Sequence, residues 1–356
     1  MRNVFFVGEL IADLVESGTG SSRFESRFGG CSYFGCIAAS RVVRLNFADD
    51  KVHYIGPISK DTFGDRFYEE LEDHAVKVDT AVRTDRKTTV ALVVTSPGVE
   101  NGFSFYDEGT TVRDMRADEI QIPELPQGSE NVFVYGSVST TLPGVRDVLL
   151  AHAEAMRPNG LIYFDLNARP SVISRVPDYQ GLVDRWAKVA DVIKASDFDI
   201  QTAYPGKSIR DVAARWLENG ASLAVVTFGN RGSWALRLEN GRLKEYHIPC
   251  ETPLEAPFTV GAGDSFNAGL CLELFKGSDL LMMRRGEYVH GSINAALRAG
   301  NSSASLHLKE NGAYPRPAES RSADGIEPTP VLQMPPRLPN LIDYAPDPRP
   351  SRSIQP

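Results

Sequence analysis

The sequence predicts an α/β fold with a parallel sheet carrying helices on both faces, and three observations lead there. Segments of strand character alternate with segments of helical spacing along most of the chain. A Gly-Ala-Gly-Asp turn at residues 261–264 feeds a helix rich in small residues. A second glycine turn, Thr227-Phe228-Gly229-Asn230-Arg231-Gly232, follows a strand about 30 residues upstream. Strand–helix units in series call for parallel pairing, because each crossover helix returns the chain to the same end of the sheet.

The chain opens on Asn3 to Gly8, a short apolar run ending in glycine, and continues through Glu9 to Leu14 with the alternation of a half-buried strand. A polar loop around Gly18 to Ser26 leads to Gly29-Gly30, a tight helix entry. Small and apolar residues then follow at helical spacing from Cys31 to Val43, with Arg41 and Arg44 near the end, where cations suit the helix dipole. Next come a strand at Val52 to Ile55, a helix at Thr62 to His74, and alternating runs at Thr88 to Thr95 and Phe103 to Tyr106 that read as a hairpin. The series continues with strand 132–134, helix 145–156, strand 161–164, helix 182–190, strand 191–194, helix 209–217 and strand 223–227. Two alternating runs, 233–238 and 243–248, precede the helix opening at Gly261 and another from about Glu287 to Ala299.

At 356 residues the chain is long enough for one large core with a smaller appendage. Its 42% hydrophobic and 24% charged residues are ordinary for a globular protein. No apolar run approaches the roughly 20 residues of a membrane span. Glu9 and Asp13 interrupt the N-terminal apolar stretch before a signal-peptide core forms, so the expected location is cytoplasmic. Cys31, Cys36, Cys250 and Cys271 form no C-x-x-C pair and no Cys/His cluster at zinc spacing, and they read as buried thiols. A formal charge of −8 opposes nucleic acid as a partner but leaves room for a small anion in a local basic pocket. Nine of the 23 prolines fall within the last 39 residues, so Ala318 to Pro356 reads as an irregular tail and the core as ending near Pro317.

The chemistry concentrates at Phe258-Thr259-Val260-Gly261-Ala262-Gly263-Asp264-Ser265. Glycines let backbone N–H groups approach an anion, and the positive end of the helix dipole adds to the attraction, so 261–263 reads as a phosphate cradle. Asp264, in the first turn of the same helix, is placed to accept a hydroxyl proton and is expected to be ionised on an unperturbed pKa of about 3.9. Alone, such an acid reads equally well as a complement to the helix dipole. The Thr227 to Gly232 turn tips the balance, because two glycine turns at the carboxyl edge of a sheet can hold one nucleotide.

These turns, with the early Gly29-Gly30, resemble the ribokinase-like (PfkB) carbohydrate kinases, fructokinases most of all, over roughly Asn3 to Pro317. Further stretches carry the likeness: Gly8-Glu9 with Asp13, Ile58 to Gly64, Asp165-Leu166-Asn167-Ala168-Arg169-Pro170, Lys194 to Asp199, and Gly312-Ala313-Tyr314-Pro315. The resemblance implies a doubly wound, mostly parallel sheet in a domain of residues 1–317. It also implies a small β lid from about 9–28 and 83–107 that closes over the sugar and excludes water. The implied activity is ATP-dependent phosphorylation of a small carbohydrate, fructose first and 2-keto-3-deoxygluconate as the alternative, with Asp264 as base and Gly261, Ala262 and Gly263 as anion hole.

By the same resemblance Asp13, Gly29, Gly30, Asn167 and Arg169 bind substrate. Arg169 offers a planar five-donor group at the sheet edge, and Phe105 borders the sugar or simply fills a hairpin core. Lys194, Ser196, Thr227, Gly229, Gly232, Gly261, Gly263 and Asn294 fall on the nucleotide side. Ser196 and Asp199 stand in the family's Asn-x-x-Glu element, which implies a part in placing Mg2+, indirect for Asp199. A homodimer through the lid is also implied.

Two positions depart from the family pattern. Phe258 stands where an Asp associated with a monovalent-cation site is usual, so potassium activation is not expected. Phe34 stands where the Gly-Gly motif commonly carries an Asn that touches substrate. The rival reading of another class is a kinase-like scaffold whose Pro-rich tail docks a partner; retention of Asp264 speaks against it.

Overall fold

The computed structural model describes residues 2–18, 20–46, 49–94, 102–251, 254–255, 259–274, 284, 291–310 and 314–315. Phe258, the Gly312-Ala313 pair, the expected helix start near Glu287 and the tail from Ala318 lie outside the described residues. The first part of the chain forms β1 (Arg2–Val7), β2 (Ile11–Glu16), β3 (Phe24–Gly29), α1 (Cys31–Asn46), β4 (Lys51–Ile55), β5 (Pro57–Ser59), α2 (Thr62–Asp73), β6 (Val82–Thr84), β7 (Thr89–Val94) and β8 (Gly102–Tyr106). The middle forms β9 (Glu130–Gly136), α3 (Val145–Met156), β10 (Leu161–Asp165), α4 (Pro170–Ile173), α5 (Tyr179–Val189), β11 (Val192–Ser196), α6 (Asp197–Ala203), α7 (Ile209–Asn219) and β12 (Leu223–Thr227). The last part forms β13 (Ser233–Glu239), β14 (Arg242–Ile248), β15 (Leu254–Glu255), α8 (Ala262–Leu274), α9 (Gly291–Glu310) and β16 (Tyr314–Pro315).

Eight strands form the central sheet in the order β14-β13-β12-β11-β10-β9-β1-β4. The six from β12 to β4 pair in parallel, and β13 and β14 add an antiparallel edge. Successive side chains of β1 enter opposite layers, as pleating requires. Val4 and Phe6 join the core with α1, α8 and α9, while Phe5 and Val7 join the core with α3, α5 and α7. A strand buried on both faces needs no polar alternation, which is why these runs are continuously apolar. The chain passes from β1 out to β4 and then back to β9 on the other side of β1. The strand order therefore reverses between β1 and β9, where α/β sheets open a crevice at their carboxyl ends.

A second sheet, β3-β2-β7-β8, stands apart from the first. The expected hairpin is its β7–β8 pair, with Ala91 opposite Phe105. Asp13 lies opposite Ala91 across the β2–β7 ladder, so Asp13, Ala91 and Phe105 form one row on one face. Alternate residues face outward, leaving Phe24, Val94 and Tyr106 exposed.

Three expectations need correction. The loop expected through Ser26 becomes strand from Phe24, an edge strand whose first four residues are exposed, so no burial pattern marks it. Arg83 belongs to β6, which pairs with β5 in a separate two-stranded ribbon, and the second sheet resumes only at Thr89. The helix expected to stop near Ala299 continues to Glu310. Gly300 and Ser303 are packing residues there: a β-carbon on Gly300 would stand 2.7 Å from the Phe266 ring, and one on Gly269 would stand 2.8 Å from Ser303 Cβ.

Candidate active site

The carboxyl ends of the strands collect buried charge. Asp165 closes β10, and Lys194 lies directly opposite it on β11. Lys194 Nζ donates to Asp165 Oδ2 at 3.0 Å, and Asn267 Nδ2 donates to the same oxygen at 2.6 Å. Tyr163 OH donates to Asn267 Oδ1 at 2.9 Å, so α8 is pinned to β10 one turn beyond Asp264. Burial alone would lower the Lys194 pKa, but Asp165, Asp199 and Asp264 more than offset it and hold the ammonium above the ordinary lysine range.

Asp264 sits in the first turn of α8, 7% exposed. Burial first, then the neighbouring Asp165, push its carboxyl up to about 8, against the pull of Lys194 and Arg169. This corrects the expected ionisation: the carboxyl holds its proton more tightly than an ordinary aspartate does. In the turn before it, Ala262 N–H donates to Thr259 O at 3.2 Å and Ser265 N–H donates to Gly261 O at 2.9 Å. Ala262 therefore spends its amide inside the turn. The N–H groups of Gly261, Gly263 and Asp264 are left without an intrahelical acceptor, as at any helix start. Lys194 Nζ comes within 3.1 Å of where a β-carbon on Gly263 would stand, which puts the ammonium beside the turn.

On the second sheet, Asp13 is buried, and burial raises its carboxyl to about 7 against the opposing pull of Arg169. A β-carbon on Gly29 would lie 2.2 Å from Asp13 Oδ2, so only glycine leaves that carboxylate its place. Gly30 turns the chain into α1 at φ +94°. Arg169 caps the start of α4, and its guanidinium lies 4.9 Å over the Phe103 ring. Phe103 stacks on Phe105 at 6.0 Å and 9°. Arg169 thus links the second sheet to the crevice, and it acts electrostatically on both Asp13 and Asp264. Asn167, two residues earlier, takes φ +35°, a left-handed conformation that asparagine tolerates better than most residues.

Ser196 and Thr227 are neighbours across β11 and β12. A β-carbon on Gly229, at φ +55°, would meet nothing within 4 Å among the described residues, whereas one on Gly232 would fall 2.2 Å from Ile248 O. Gly232 is therefore glycine because β14 packs against it. Asn294 is exposed near the start of α9. Asp199 accepts from Ser196 N at 2.7 Å and from Ala168 N at 2.8 Å, tying the β10 and β11 exits together.

Glu9 does similar work between β1 and β9, accepting from Val138 N at 3.2 Å and Ser139 N at 3.0 Å. Among the described residues no group of three or more His, Cys, Asp or Glu side chains is placed to hold a metal. Among the described residues, buried Asp165 Oδ1 and Ser265 Oγ have no hydrogen-bond partner, however. An unpartnered carboxylate oxygen beside the cradle suits a hard cation held mainly by phosphate oxygens and water.

The sequence pointed to Asp264, Asp13 and Arg169, the last of which acts electrostatically on both carboxyls. It assigned no role to Asp165, Asn267 or Glu9. For Asp165 the signal was an acid closing the otherwise apolar strand Leu161 to Phe164.

Residues 1–320 match the model of the pfkB family of carbohydrate kinases. A fructokinase of Rhizobium leguminosarum bv. trifolii is 28% identical over 280 residues, covering 78% of this chain and 81% of the relative. A 5-dehydro-2-deoxygluconokinase of Clostridium beijerinckii is 24% identical over 284 residues, covering 78% and 81%. Among solved structures, a fructokinase from Vibrio cholerae O395 in fructose, ADP and calcium ion bound form superposes with a TM-score of 0.72 at 22% identity, over 86% of this chain and 93% of that one. That last likeness is one of fold.

Proposed function

The chain belongs to the pfkB family of carbohydrate kinases, and on that premise we propose that it moves the γ-phosphoryl group of ATP onto a primary hydroxyl of a small sugar, fructose first. The observation that carries the reading is Asp264: a buried carboxyl held up to about 8 in the glycine turn that opens α8, under the electrostatic influence of Asp165, Lys194 and Arg169 at the carboxyl ends of β10 and β11.

In this mechanism Asp13 accepts hydrogen bonds from sugar hydroxyls, and Arg169 and Phe105 border the ring. Asp264, ionised in the loaded site, takes the hydroxyl proton as the sugar oxygen bonds to the γ-phosphorus. The bond to the β–γ bridging oxygen breaks, and ADP leaves with that electron pair. The N–H groups of Gly261 and Gly263, with Lys194, offset the charge on the migrating group. Ser196, Thr227 and Gly229 border the nucleotide, and Asn294 lies toward its base. Mg2+, when bound, supplies further neutralisation of the phosphates near Asp165, with Asp199 acting through the loops it ties.

Fructose is supported by the fructokinases among the relatives. The acidic sugar 2-keto-3-deoxygluconate is the second reading, favoured by the Arg169 guanidinium at the lid side. Exposed Phe24, Val94 and Tyr106 on the outer face of the second sheet support a homodimer through the lid, and sedimentation velocity tests it. A cytoplasmic site of action fits the need for ATP, and among the described residues no helix is long and apolar enough to cross a membrane.

The test is ADP release with magnesium–ATP against a panel of sugars, for the wild type and Asp264→Asn. One sugar should raise turnover, and the variant should lose about 10²- to 10⁴-fold. ATP binding without turnover on any sugar would favour the scaffold instead.

A further inference from the structure

Residues 259–262 form a β-turn closed by the Ala262 N–H to Thr259 O bond, with Val260 and Gly261 at its centre. Gly261 takes φ +86°, the value that marks the third position of a type II turn. Type I and type II differ by rotation of the central peptide, here the bond between Val260 and Gly261. Glycine at the third position tolerates both, so the turn alone does not select one.

The selection comes from the last turn of α9. Nε2 of buried His307 lies 2.8 Å from the carbonyl oxygen of Val260. A carbonyl only accepts, so Nε2 carries the proton and donates. Burial lowers the affinity of His307 for a second proton, which leaves the ring neutral above pH 7 as the Nε2–H tautomer. Phe34 packs edge-on against this imidazole, ring centroids 5.8 Å apart at 83°. A β-carbon on Gly261 would stand 2.7 Å from Phe34 Cδ1 and 2.8 Å from His307 Nε2, so the two rings fill the space behind the turn. The peptide is trans, and its C=O and N–H therefore point in opposite directions. Holding the Val260 carbonyl toward His307 turns the Gly261 N–H away from α9. Rotation of that peptide would instead present a carbonyl oxygen where a donor is needed.

We propose that His307 is a positioning residue that locks the Val260–Gly261 peptide in its type II orientation, keeping the Gly261 N–H available to the transferring phosphoryl group while Phe34 holds the imidazole in place. The lock rests on the reading of 261–263 as the anion cradle. It also gives a task to Phe34, the residue that stands in place of the usual Asn.

The test compares full-length wild type, His307→Met, His307→Gln and Asp264→Asn in steady-state kinetics with magnesium–ATP and the accepted sugar. Met and Gln reach about equally far, but only Gln donates an N–H. His307→Met should lower kcat about 10- to 100-fold with the sugar KM within about twofold, because a donor seen mainly by the transition state is lost. His307→Gln should return kcat to within several-fold of wild type. Equal kcat in wild type and Met, or equal loss in Met and Gln, overturns the lock. Loss in Asp264→Asn without loss in His307→Met removes the lock alone, whereas full activity in Asp264→Asn removes the cradle-and-base reading and the lock with it. Should the Met variant not fold, nitrogen NMR of the wild type at pH 8 decides: the Nε2–H tautomer is expected, and an Nδ1–H tautomer, unable to donate to Val260, overturns the proposal.

Discussion

Two regions of the molecule are buried to the same degree and built of opposite material. Between the sheet and α3, α5 and α7, Trp186 stacks on Phe164 at 4.7 Å and 4°, with Tyr135 beside it. One residue beyond Phe164, at the strand's end, the packing changes to Asp165, Lys194, Asn267 and Asp264. The first region lowers the free energy of the fold through apolar burial. The second opposes folding, because carboxyls taken out of water bind protons more tightly than in the unfolded chain. The contrast teaches that the charged cluster does not stabilise the fold by apolar burial, and that α8 and the parallel strands hold it through Asn267, Asp165 and Lys194.

Asp264→Asn breaks this comparison most strongly. A carboxyl whose pKa rises on folding, here from 3.8 to about 8, supports the folded state below pH 4 and progressively opposes it as pH climbs through 8. The variant should therefore melt about 5 °C higher than wild type at pH 8 even as turnover collapses, and a lower melting temperature would show the carboxylate to be structural. In the apolar region, Trp186→Ala should cost about 3–5 kcal/mol by denaturant titration while the folded fraction keeps its KM values; altered KM would mean the two regions are not separable. Arg169→Ala should raise the sugar KM or lower kcat about tenfold without unfolding, and unchanged kinetics would remove it from the site. The smallest contrast lies within one turn. Gly229→Ala should raise the KM for ATP a few-fold at little cost in stability, whereas Gly232→Ala, facing Ile248 O, should lose about 1–3 kcal/mol. A reversed order would show that Gly232, not Gly229, meets the nucleotide.

The apolar region was legible in the sequence because strands buried on both faces appear as unbroken apolar runs, and the Gly-Ala-Gly-Asp turn was legible because glycine spacing is local. The charged region was only half legible. Asp165, Lys194 and Asn267 come from three elements, and their meeting depends on the parallel register that sets residue 165 against 194. The raised affinity of Asp264 for its proton follows from that same enclosure, so an unperturbed carboxylate was the wrong expectation. His307 carried no signal at all, since the helix was expected to end near Ala299, whereas it runs on to Glu310 with Gly300 and Ser303 on the surface where α8 and α9 meet.

The most direct test of the buried base is the pH dependence of kcat/KM, measured with both substrates far below saturation so that the free enzyme is reported. With Asp264 near 8 and Asp13 near 7, the profile should climb steeply from pH 6, and level off only above pH 8. A profile already flat at pH 6 would contradict it, because the base would then be an ordinary exposed carboxylate.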